Sequence, residues 1–499
     1  MKTHINRLFL LPALIAGLGL IPAMPAAAQT FTTLHSFTIT NGPSFTNSDG
    51  AHPYAGLVLS GGILYGTAYV GGTNGAGTIF AVSTNGTGFT NLFNFKASAV
   101  GGGGGGGGVS AGYNPSGRLI LSGNTLYGTA NNYAANMNPP AGAVFKFAIG
   151  GAGISGLASF DPLSASFTNG TGAHPHGGLV LSGGNLYGAA YDGGKYESGT
   201  VFTTTTNGTV ITNLYNFSDD SSSLNSDGAN PEAELVLSGN TLYGTAYNGG
   251  PSGDGAVFAV NTDGTGFTNL YSFTTRNSGT NSDGAHSSAS LLLSGNTLYG
   301  TTQIGGTSRN GTVFSLSTNG TGFTTLHNFS AQPASNSDGA NPEAGLVLAG
   351  NTLYGTAYYG GSSGNGTIFA VNIDGSGFTS LYSFTALASG TNSDGANPSA
   401  GLLLSGNTLY GTTRNGGNAG NGTVFSLTMP PPLLSIQPIE NTNVVLSWAA
   451  SFTGFTLEAS TNLASNVWSV VSPAPSVSGT NNVVTNAISG AARFYRLSQ

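Results

Sequence analysis

Short apolar runs alternate along this chain with clusters of glycine, asparagine, serine and aspartate. In a representative unit, residues 235–237, 241–247, 256–260 and 267–273 are the apolar runs. Ser-Gly-Asn and Asp-Gly lie between them, and Asp-Gly favours a hairpin because both central residues of that turn need positive φ. No helical periodicity is present. The pattern therefore predicts four short antiparallel strands in each unit, which we call a, b, c and d.

The motif Leu-Tyr-Gly-Thr recurs through most of the chain. Successive copies are 62, 60, 56, 56, 55 and 56 residues apart, and in the third copy alanine replaces the threonine. A period of this length indicates one supersecondary unit stacked many times. The strands are apolar on both faces, so each sheet is expected to be covered by a neighbour on either side. This is the arrangement of the blades of a β-propeller. The tyrosines of the motif are Tyr65, Tyr127, Tyr187, Tyr243, Tyr299, Tyr354 and Tyr410.

The strand count predicts how the repeats close. Strands a, b and c are expected seven times, but strand d is expected only six times after its own strand c. The missing d strand matches residues 31–37, which are expected to pair beside residues 423–427 of the last repeat. This pairing leaves no open sheet edge. We predict an all-β protein whose residues 29–428 form a seven-bladed β-propeller of about 56-residue repeats, closed by the N-terminal strand.

The segments outside the repeats have other compositions. Residues 1–28 resemble a secretory signal, with Lys2 and Arg7 before an apolar stretch and Ala26-Ala27-Ala28 at the cleavage site. Residues 429–433 are a proline-rich linker, and residues 434–499 contain both tryptophans and predict a small fibronectin- or Ig-like β-sandwich. The glycine run at 101–108 is expected to be a loop.

Composition restricts the possible partners. The chain contains no cysteine, and 11 Lys and Arg against 18 Asp and Glu give a net charge of −7, which becomes −9 once Lys2 and Arg7 are removed with the signal. An acidic balance argues against nucleic acid as a partner. No segment after the signal is long and apolar enough to span a bilayer. We expect a secreted or cell-surface monomer.

The repeat also resembles a known family. Leu-Tyr-Gly-Thr, Leu-Tyr-Ser-Phe and a Gly-Gly-x-x-Gly-x-Gly-Thr-Ile-Phe segment at residues 360–369 are similar to the GloVer (Gloeo_Verruco) tandem repeat. The resemblance covers roughly residues 31–427. It implies an exported bacterial repeat protein, and the family offers no general activity that could be assigned to residues here.

The motif Asn-Ser-Asp-Gly-Ala precedes strand a in five repeats. One hypothesis is that its carboxylates bind sugar hydroxyls or Ca²⁺, although a hard cation needs several oxygen ligands close together. One aspartate per repeat supplies few ligands at any point, so the motif favours an Asx turn in which glycine adopts positive φ. No metal or other cofactor is predicted. The candidate ligand-binding aspartates are Asp49, Asp227, Asp283, Asp338 and Asp394.

Histidine and asparagine exchange at one repeat position. Because asparagine can hydrogen-bond like a neutral imidazole but cannot act as a general base, the exchange indicates a structural hydrogen bond. His35 and His327 align with tyrosines of strand d and are interpreted as packing residues, whereas His176 has no repeat counterpart. The exchanging residues are His52, Asn114, His174, Asn230, His286, Asn341 and Asn397.

Acidic residues outside the shared motifs are the candidates for catalysis. Asp192, Glu197 and Asp219 lie close together in sequence and belong to no repeated motif. A glycosidase would need two carboxyl groups at a defined separation. No serine nucleophile elbow and no metal-spaced histidine pair is present.

The strand order places the long loops on one face. The b–c loops and the d–a loops are expected at one end of the sheets, here called the loop face, and the mature N-terminus and the linker at the other. Three functions are compatible with the sequence. The first is a non-enzymatic protein that binds a glycan or a cell-surface partner through the loop face. The others are an extracellular polysaccharide hydrolase or lyase and a structural surface-layer component.

Overall fold

The computed structural model describes residues 29–96, 111–132, 141–151, 153–208, 210–220, 223–330, 336–430, 432–439, 443–449, 455–462, 467–478, 481–487 and 493–498. The predicted signal segment at 1–28 and the glycine run at 101–108 lie outside these ranges. Every regular element in the described ranges is a β-strand. Within them, no helix has the length and apolar character needed to cross a bilayer.

The repeat region contains 29 strands within the described residues. In chain order they are β1 (Thr30–Ser36), β2 (Val58–Ser60), β3 (Ile63–Ala68), β4 (Thr78–Ser83), β5 (Thr90–Asn94), β6 (Tyr113–Pro115), β7 (Ile120–Ser122), β8 (Thr125–Asn132), β9 (Ala143–Ala148), β10 (Ile154–Ser159), β11 (Val180–Ser182), β12 (Asn185–Ala190), β13 (Thr200–Thr205), β14 (Thr212–Asn216), β15 (Val236–Ser238), β16 (Thr241–Ala246), β17 (Ala256–Asn261), β18 (Thr268–Ser272), β19 (Leu292–Ser294), β20 (Thr297–Thr302), β21 (Thr312–Ser317), β22 (Thr324–Asn328), β23 (Val347–Ala349), β24 (Thr352–Ala357), β25 (Thr367–Asn372), β26 (Thr379–Ser383), β27 (Leu403–Ser405), β28 (Thr408–Thr413) and β29 (Thr423–Thr428).

These strands form antiparallel sheets in the order a-b-c-d, as β15-β16-β17-β18 illustrates. The second repeat differs, because β6 joins its sheet as an additional strand beside β8. The last sheet has the order β1-β29-β28-β27, so the N-terminal strand supplies strand d of the seventh repeat. Thr30 pairs with Thr428 and Ser36 pairs with Thr423. The predicted pairing of the first strand with the last repeat is confirmed.

Most hydrophobic cores of the repeat region lie between two sheets that are neighbours in sequence. In one core, Tyr299 and Val313 of the fifth repeat pack with Leu353 and Phe369 of the sixth. The same arrangement joins the ends of the repeat region, where Tyr410 of the last repeat packs with residues of the first. That core contains Leu34, Phe37, Leu57, Leu64, Phe80, Tyr410 and Val424.

A hydrogen bond also repeats between neighbouring repeats. The Thr245 hydroxyl donates to the carbonyl of Ala289 in the next repeat at 3.3 Å. Thr412 in the last repeat donates to the carbonyl of Ala55 in the first, also at 3.3 Å. The last and first repeats therefore contact each other as internal neighbours do.

The glycine of Leu-Tyr-Gly-Thr makes room within its own repeat. A Cβ atom on Gly244 would lie 2.6 Å from Cζ of Phe258 in strand c and 2.7 Å from Cδ2 of Leu235 before strand a. Contacts this short exclude a side chain, because Phe258 is fully buried there. The small residue lets an aromatic ring of the same sheet fill the core.

Seven further strands follow the repeats in the described residues. Leu446, Trp448 and Val484 of one sheet pack with Leu457 and Ala459 of the other, so two sheets share one core. The sheet orders are β30-β31-β35-β34 and β33-β32-β36. The strands are β30 (Ser435–Ile439), β31 (Asn443–Ala449), β32 (Thr456–Ser460), β33 (Ser469–Val470), β34 (Ser476–Ser478), β35 (Asn481–Ala487) and β36 (Phe494–Ser498).

The chain enters and leaves the repeat region at one end. Thr30 begins β1 and is the register partner of Thr428, with which β29 ends. Met429 follows directly and is buried in the core of the last sheet. Since strand c runs from the b–c loop towards the c–d turn, this end is the one opposite the loop face.

Candidate functional site

Three positions of the repeat vary, although the residues around them are nearly constant. Position 1 precedes an Ala or Gly just before strand a, position 2 lies two residues further on, and position 3 lies at the end of strand b. Position 1 holds Tyr54, Ser116, His176, Glu232, Ser288, Glu343 and Ser399. Position 2 holds Gly56, Arg118, Gly178, Glu234, Ser290, Gly345 and Gly401. Position 3 holds Tyr69, Asn131, Tyr191, Tyr247, Gln303, Tyr358 and Arg414.

These positions meet at a cavity of about 880 Å³, which we call the central cavity. Positions 1 and 2 of all seven repeats line it, together with Tyr191, Tyr247 and Gln303 of position 3. Position 1 follows the d–a loop and position 3 precedes the b–c loop. The cavity therefore adjoins the loop face, and its lining differs from one repeat to the next.

An ion pair joins two repeats beside this cavity. Arg118 donates from Nε to Glu234 Oε2 at 3.0 Å and from Nη2 to Oε1 at 2.8 Å. The two side chains meet across Gly178 of the intervening repeat, where an added Cβ would lie 2.8 Å from Glu234 Oε2. The bidentate geometry orients both groups. Since other repeats have Gly or Ser at position 2, this pair breaks the repeat symmetry.

A hydrogen-bond chain links the fourth, fifth and sixth repeats. The Tyr247 hydroxyl donates to Gln303 Oε1 at 2.6 Å, and Gln303 Nε2 donates to Glu343 Oε1 at 2.7 Å. Burial is the first cause that raises the pKa of Glu343, and the bond from Gln303 opposes it. The amide thus orients both the phenol and the carboxylate.

A cation lies on an aromatic ring at the junction of the last and first repeats. The Arg414 guanidinium lies 4.7 Å from the ring centre of Tyr54 and donates to the Tyr358 hydroxyl at 3.2 Å. The rings of Tyr54 and Tyr69 meet edge to face with centres 4.9 Å apart. These contacts connect two tyrosines of the first repeat with one tyrosine of the sixth through an arginine of the seventh.

The carboxylate of Glu232 differs from those of Glu234 and Glu343 in its lack of a hydrogen-bonding partner among the described residues. Among the described residues, none donates a hydrogen bond to its carboxylate or forms an ion pair with it. Burial, and after it the negative charge of Glu343, raise the pKa of Glu232 to about 7. Glu232 and Glu343 occupy the same repeat position, and only Glu343 receives the glutamine amide. Close to neutrality, Glu232 therefore exists in both protonation states.

The histidine at position 1, His176, is uncharged at neutral pH. Burial, followed by the charge of His174, lowers its pKa to about 4. Its Nε2 lies 3.3 Å from Asn131 Nδ2, and its ring centre is 5.4 Å from that of Tyr191. At neutral pH the imidazole can therefore donate or accept hydrogen bonds without carrying charge.

The five candidate ligand-binding aspartates are buried at the repeat junctions. Asp227 is 5% exposed and accepts hydrogen bonds from the Tyr215 hydroxyl and from the backbone N–H of Ser218. Asp338 accepts from His327 and Ser330, and these bonds lower its pKa although burial opposes them. Each of the five carboxylates accepts hydrogen bonds from residues at its own repeat junction, which supports a structural role. The ligand-binding hypothesis for Asp49, Asp227, Asp283, Asp338 and Asp394 stays a prediction.

The asparagine of the same motif forms the turn. Asn225 Oδ1 accepts from the N–H groups of Gly228 and Gly250 at 2.9 and 2.7 Å. Its Nδ2 donates to the carbonyls of Gly228 and Ser218. One side chain thereby joins the d–a loop to the b–c loop, as the turn interpretation expects.

The candidate catalytic carboxylates have dissimilar surroundings. Asp192 Oδ1 lies 2.7 Å from Nδ1 of His174, whereas Glu197 and Asp219 are exposed on the loops of the third repeat and the following junction. Glu197 has a φ of 66°. None of the three lines the central cavity. Their catalytic role stays a prediction.

The exchange of histidine and asparagine has a backbone cause. All seven residues at that position have φ between 52° and 58°, a conformation that asparagine and histidine tolerate better than most residues. Asn230 Nδ2 donates to the carbonyl of Tyr191, and His286 Nδ1 lies 2.9 Å from the carbonyl of Tyr247. The structural hydrogen bond inferred from the exchange is present, although His174 contacts Asp192 instead.

A second cavity, of about 400 Å³, lies among the loops of the fourth and fifth repeats. Arg276 donates from Nε to Asp254 Oδ1 at 2.7 Å, and its Nη2 lies 3.0 Å from His286 Nε2. The described part of the chain holds no group of three or more His, Asp or Glu residues placed to bind a metal ion. The expectation about Ca²⁺ remains untested.

Sequence reasoning missed most of the central cavity. The sequence marks His176 as unmatched within the repeats, but Glu232, Glu343, Arg118, Glu234 and the position 3 tyrosines were not selected as site residues. The available signal was the variation itself, because these positions change while Ala-His/Asn-Pro and Leu-Tyr-Gly-Thr around them are nearly constant. Aligning the repeats column by column would have identified them.

Several solved structures are similar in shape to this chain at low sequence identity. The Niastella koreensis GH74 enzyme has a TM-score of 0.46 and 14% identity, covering 86% of this chain and 60% of that one. PorZ, a surface component of the type-IX secretion system of Porphyromonas gingivalis, has a TM-score of 0.44 and 14% identity, with 90% and 58% covered. An oligogalacturonate lyase in complex with manganese has a TM-score of 0.44 and 10% identity, with 81% and 98% covered. At these TM-scores we draw no conclusion from the similarity.

Sequence comparison is more specific. No curated protein matches this sequence. The model of the Gloeobacter/Verrucomicrobia repeat matches residues 141–336 and 274–467, two overlapping segments that together run over more than half of the chain. The match continues past residue 427, where the expected resemblance ended, and includes strands of the C-terminal sheets. The chain therefore belongs to the Gloeobacter/Verrucomicrobia repeat family.

Proposed function

We propose that this protein is an exported, non-enzymatic β-propeller that binds a glycan in the central cavity. In this proposal the repeat sheets are seven blades, closed where β1 pairs with β29, and residues 434–499 form a small β-sandwich. The contact of Thr412 with Ala55 and the core shared by Tyr410 and Leu64 support closure. The signal predicted at residues 1–28 and the bacterial repeat family support export.

The observation that carries the proposal is where the repeats differ. Residues that hold the sheets together are nearly constant from repeat to repeat, whereas the residue types at positions 1 to 3 differ among the repeats. A structural role would need no such variation. A binding site needs residues of different chemistry at defined points, and these gather in one concave space.

The chemistry of the lining suits a carbohydrate. Tyr54, Tyr191 and Tyr247 offer aromatic rings, and Gln303 and His176 offer neutral hydrogen-bonding groups. Sugars present apolar C–H faces together with many hydroxyl groups. A site with a few oriented polar groups among aromatic rings can recognise both features.

A glycan array with the purified protein tests the proposal. Binding should fall strongly for Tyr191→Ala and Tyr247→Ala, because each variant removes a ring from the central cavity. Tyr196→Ala is the matched control, since Tyr196 is 39% exposed on a b–c loop and does not line the cavity.

Thermal unfolding of each variant must accompany the array. Loss of binding without a comparable fall in Tm supports the site. Equal binding by the wild-type protein and both cavity variants would place any glycan elsewhere. Absence of binding to every glycan would favour the structural surface-layer alternative.

A second function, polysaccharide hydrolysis or elimination, is favoured by one observation. A carboxyl group with a pKa of about 7 has the property of a general acid, and Glu232 has it. Release of new chain ends from a polysaccharide panel would indicate an enzyme. Loss of that release in Glu232→Gln, with retained release in Asp192→Ala, Glu197→Ala and Asp219→Ala, would locate the acid in the central cavity.

A further inference from the structure

The charges of the central cavity do not balance. Among the described residues that line it, three are carboxylates (Glu232, Glu234 and Glu343) and one is a cation, Arg118. The guanidinium is already engaged by both oxygens of Glu234. Glu343 receives the amide of Gln303. Glu232 is the carboxylate whose charge no described protein group compensates.

Two tyrosines accompany Glu232. Burial, and after it the charge of Glu232, raise the pKa of Tyr247 to about 12. The same two causes, in the same order, raise the pKa of Tyr191. Both phenols therefore lie within electrostatic reach of the carboxylate, and both line the cavity. The surroundings of Glu232 are thus aromatic and acidic.

A protonated amine fits these surroundings. An ammonium group is attracted by the faces of aromatic rings and forms its strongest hydrogen bonds with carboxylates. It would supply the missing positive charge and would restore ionisation of the acid. Neutral sugars could use the rings and the hydrogen-bonding groups, but they would leave the carboxylate uncompensated.

We propose that the central cavity selects glycans that carry free primary amino groups, with the ammonium group received by Glu232 in the space that Tyr191 and Tyr247 also line. This inference rests on the proposed glycan-binding function and names its ligand class. A lysine-rich peptide offers the same cation without a sugar ring. The amino sugar is favoured because the neutral groups Gln303 and His176 line the same space.

Two oligomers that differ only at the amino group test the inference. We would titrate the protein with short β-1,4-linked glucosamine oligomers and with the fully N-acetylated oligomers of the same length. Acetylation removes the positive charge while the backbone is retained. The free-amine oligomer should bind at least about tenfold more tightly, the scale of a hydrogen bond between charged groups.

Variants locate the selectivity. Glu232→Gln should reduce the difference between the two oligomers to about twofold or less, because the neutral amide forms no charge-assisted bond. Glu343→Gln is the repeat-equivalent comparator, and it should retain most of the difference because Gln303 already satisfies that carboxylate. Thermal unfolding of both variants shows whether they remain folded.

Each result decides between the two proposals. Equal binding of the two oligomers would overturn the amine inference and leave glycan binding intact. Tighter binding of a neutral glycan, lost in Tyr247→Ala, would also overturn the amine inference and leave glycan binding intact. Tighter binding of oligolysine than of the glucosamine oligomer would overturn the amino-sugar assignment. Absence of binding to any glycan would remove the proposed function together with the inference.

Discussion

The phenol hydroxyl of Tyr215 donates a hydrogen bond of 2.7 Å to the carboxylate of Asp227, which lies in the loop that leads to the next repeat. The ring of Tyr215 also stacks on Phe267 of that next repeat, with centres 3.7 Å apart. One side chain thus joins two repeats through both a polar and an aromatic contact. The equivalent pairs are His35 with Asp49, Tyr271 with Asp283, His327 with Asp338 and Tyr382 with Asp394.

Replacement of Asp227 should destabilise this junction. Asp227→Asn keeps the shape, but it leaves one acceptor oxygen for the Tyr215 hydroxyl and for the N–H and hydroxyl of Ser218, and it removes the charge that strengthens these bonds. We expect a loss of about 2–3 kcal/mol in the free energy of unfolding, because buried donors would lose their acceptor. Urea denaturation measures this loss.

Asp263→Asn is the control for the Asp227 prediction. Asp263 lies fully exposed in a c–d hairpin and accepts hydrogen bonds from the backbone N–H and the hydroxyl of Thr265. Its replacement should change the denaturation midpoint far less. Equal effects of the two replacements would contradict the structural role of the buried aspartates.

Closure by the N-terminal strand predicts a large effect at Phe37. This residue is fully buried and its ring meets Phe80 edge to face at 5.4 Å, although it lies at the end of the first strand. Phe37→Ala should lower the free energy of unfolding by about 3–5 kcal/mol, as for other buried phenylalanines. Phe273→Ala, at the equivalent internal position, should have a similar effect.

Phe45→Ala provides the contrast for Phe37, since Phe45 is 53% exposed in the following loop. Thermal unfolding of the three variants ranks them. A Tm for Phe37→Ala close to that of Phe45→Ala would show that the terminal strand contributes little to closure.

His52 should tolerate asparagine but not alanine. Its φ of 54° is left-handed, and its Nδ1 contacts the carbonyl of Arg414 in the last repeat at 2.9 Å. Asparagine occupies this position in other repeats. There its Nδ2 donates to the equivalent carbonyl, as Asn397 does to Tyr358. His52→Asn should therefore leave Tm nearly unchanged.

Alanine would lose the hydrogen bond and adopt the left-handed backbone less readily. His52→Ala should cost about 1–3 kcal/mol of unfolding free energy. Chemical denaturation distinguishes the two variants. Indistinguishable curves would mean that the side chain at this position does not stabilise the junction.

Glu232 should make stability depend on pH. Its folded-state pKa of about 7 lies above the ordinary value of 4.5. The folded protein therefore holds a proton that the unfolded chain has lost between these values, and stability decreases as pH rises through this window. Glu232→Gln removes the dependence.

The variant should accordingly be more stable than the wild-type protein at alkaline pH, by about 1–2 kcal/mol once solvent screening in the open cavity is allowed for. Below the unfolded pKa the two proteins should have the same Tm. Thermal unfolding across the pH range measures the difference. A constant difference at every pH would show that the effect comes from packing instead of ionisation.

The repeat pattern by itself determined the strands of each sheet and the pairing of the first strand with the last repeat. Strand boundaries follow from local features, such as the turn at Asp263 and the apolar run that became Thr268–Ser272. The pairing of Thr30–Ser36 with Thr423–Thr428 followed from counting strands, because an unpaired edge would leave backbone groups unsatisfied. Strand Tyr113–Pro115 was not predicted. It pairs with strand Thr125–Asn132 only in the irregular second repeat, so the other repeats offer no pattern for it.

The central cavity was decided only by the tertiary structure. Arg118 and Glu234 are 116 residues apart in the sequence, and nothing local indicates that they meet across Gly178. Glu232 and Glu343 are equivalent in the repeat, yet only Glu343 receives a hydrogen bond from Gln303, and this bond opposes the rise that burial causes in its pKa. A pKa depends on burial and on neighbouring charge, and both arise only when distant repeats converge on one space. Periodicity therefore predicts the scaffold, and the positions that depart from it acquire their chemistry from the fold.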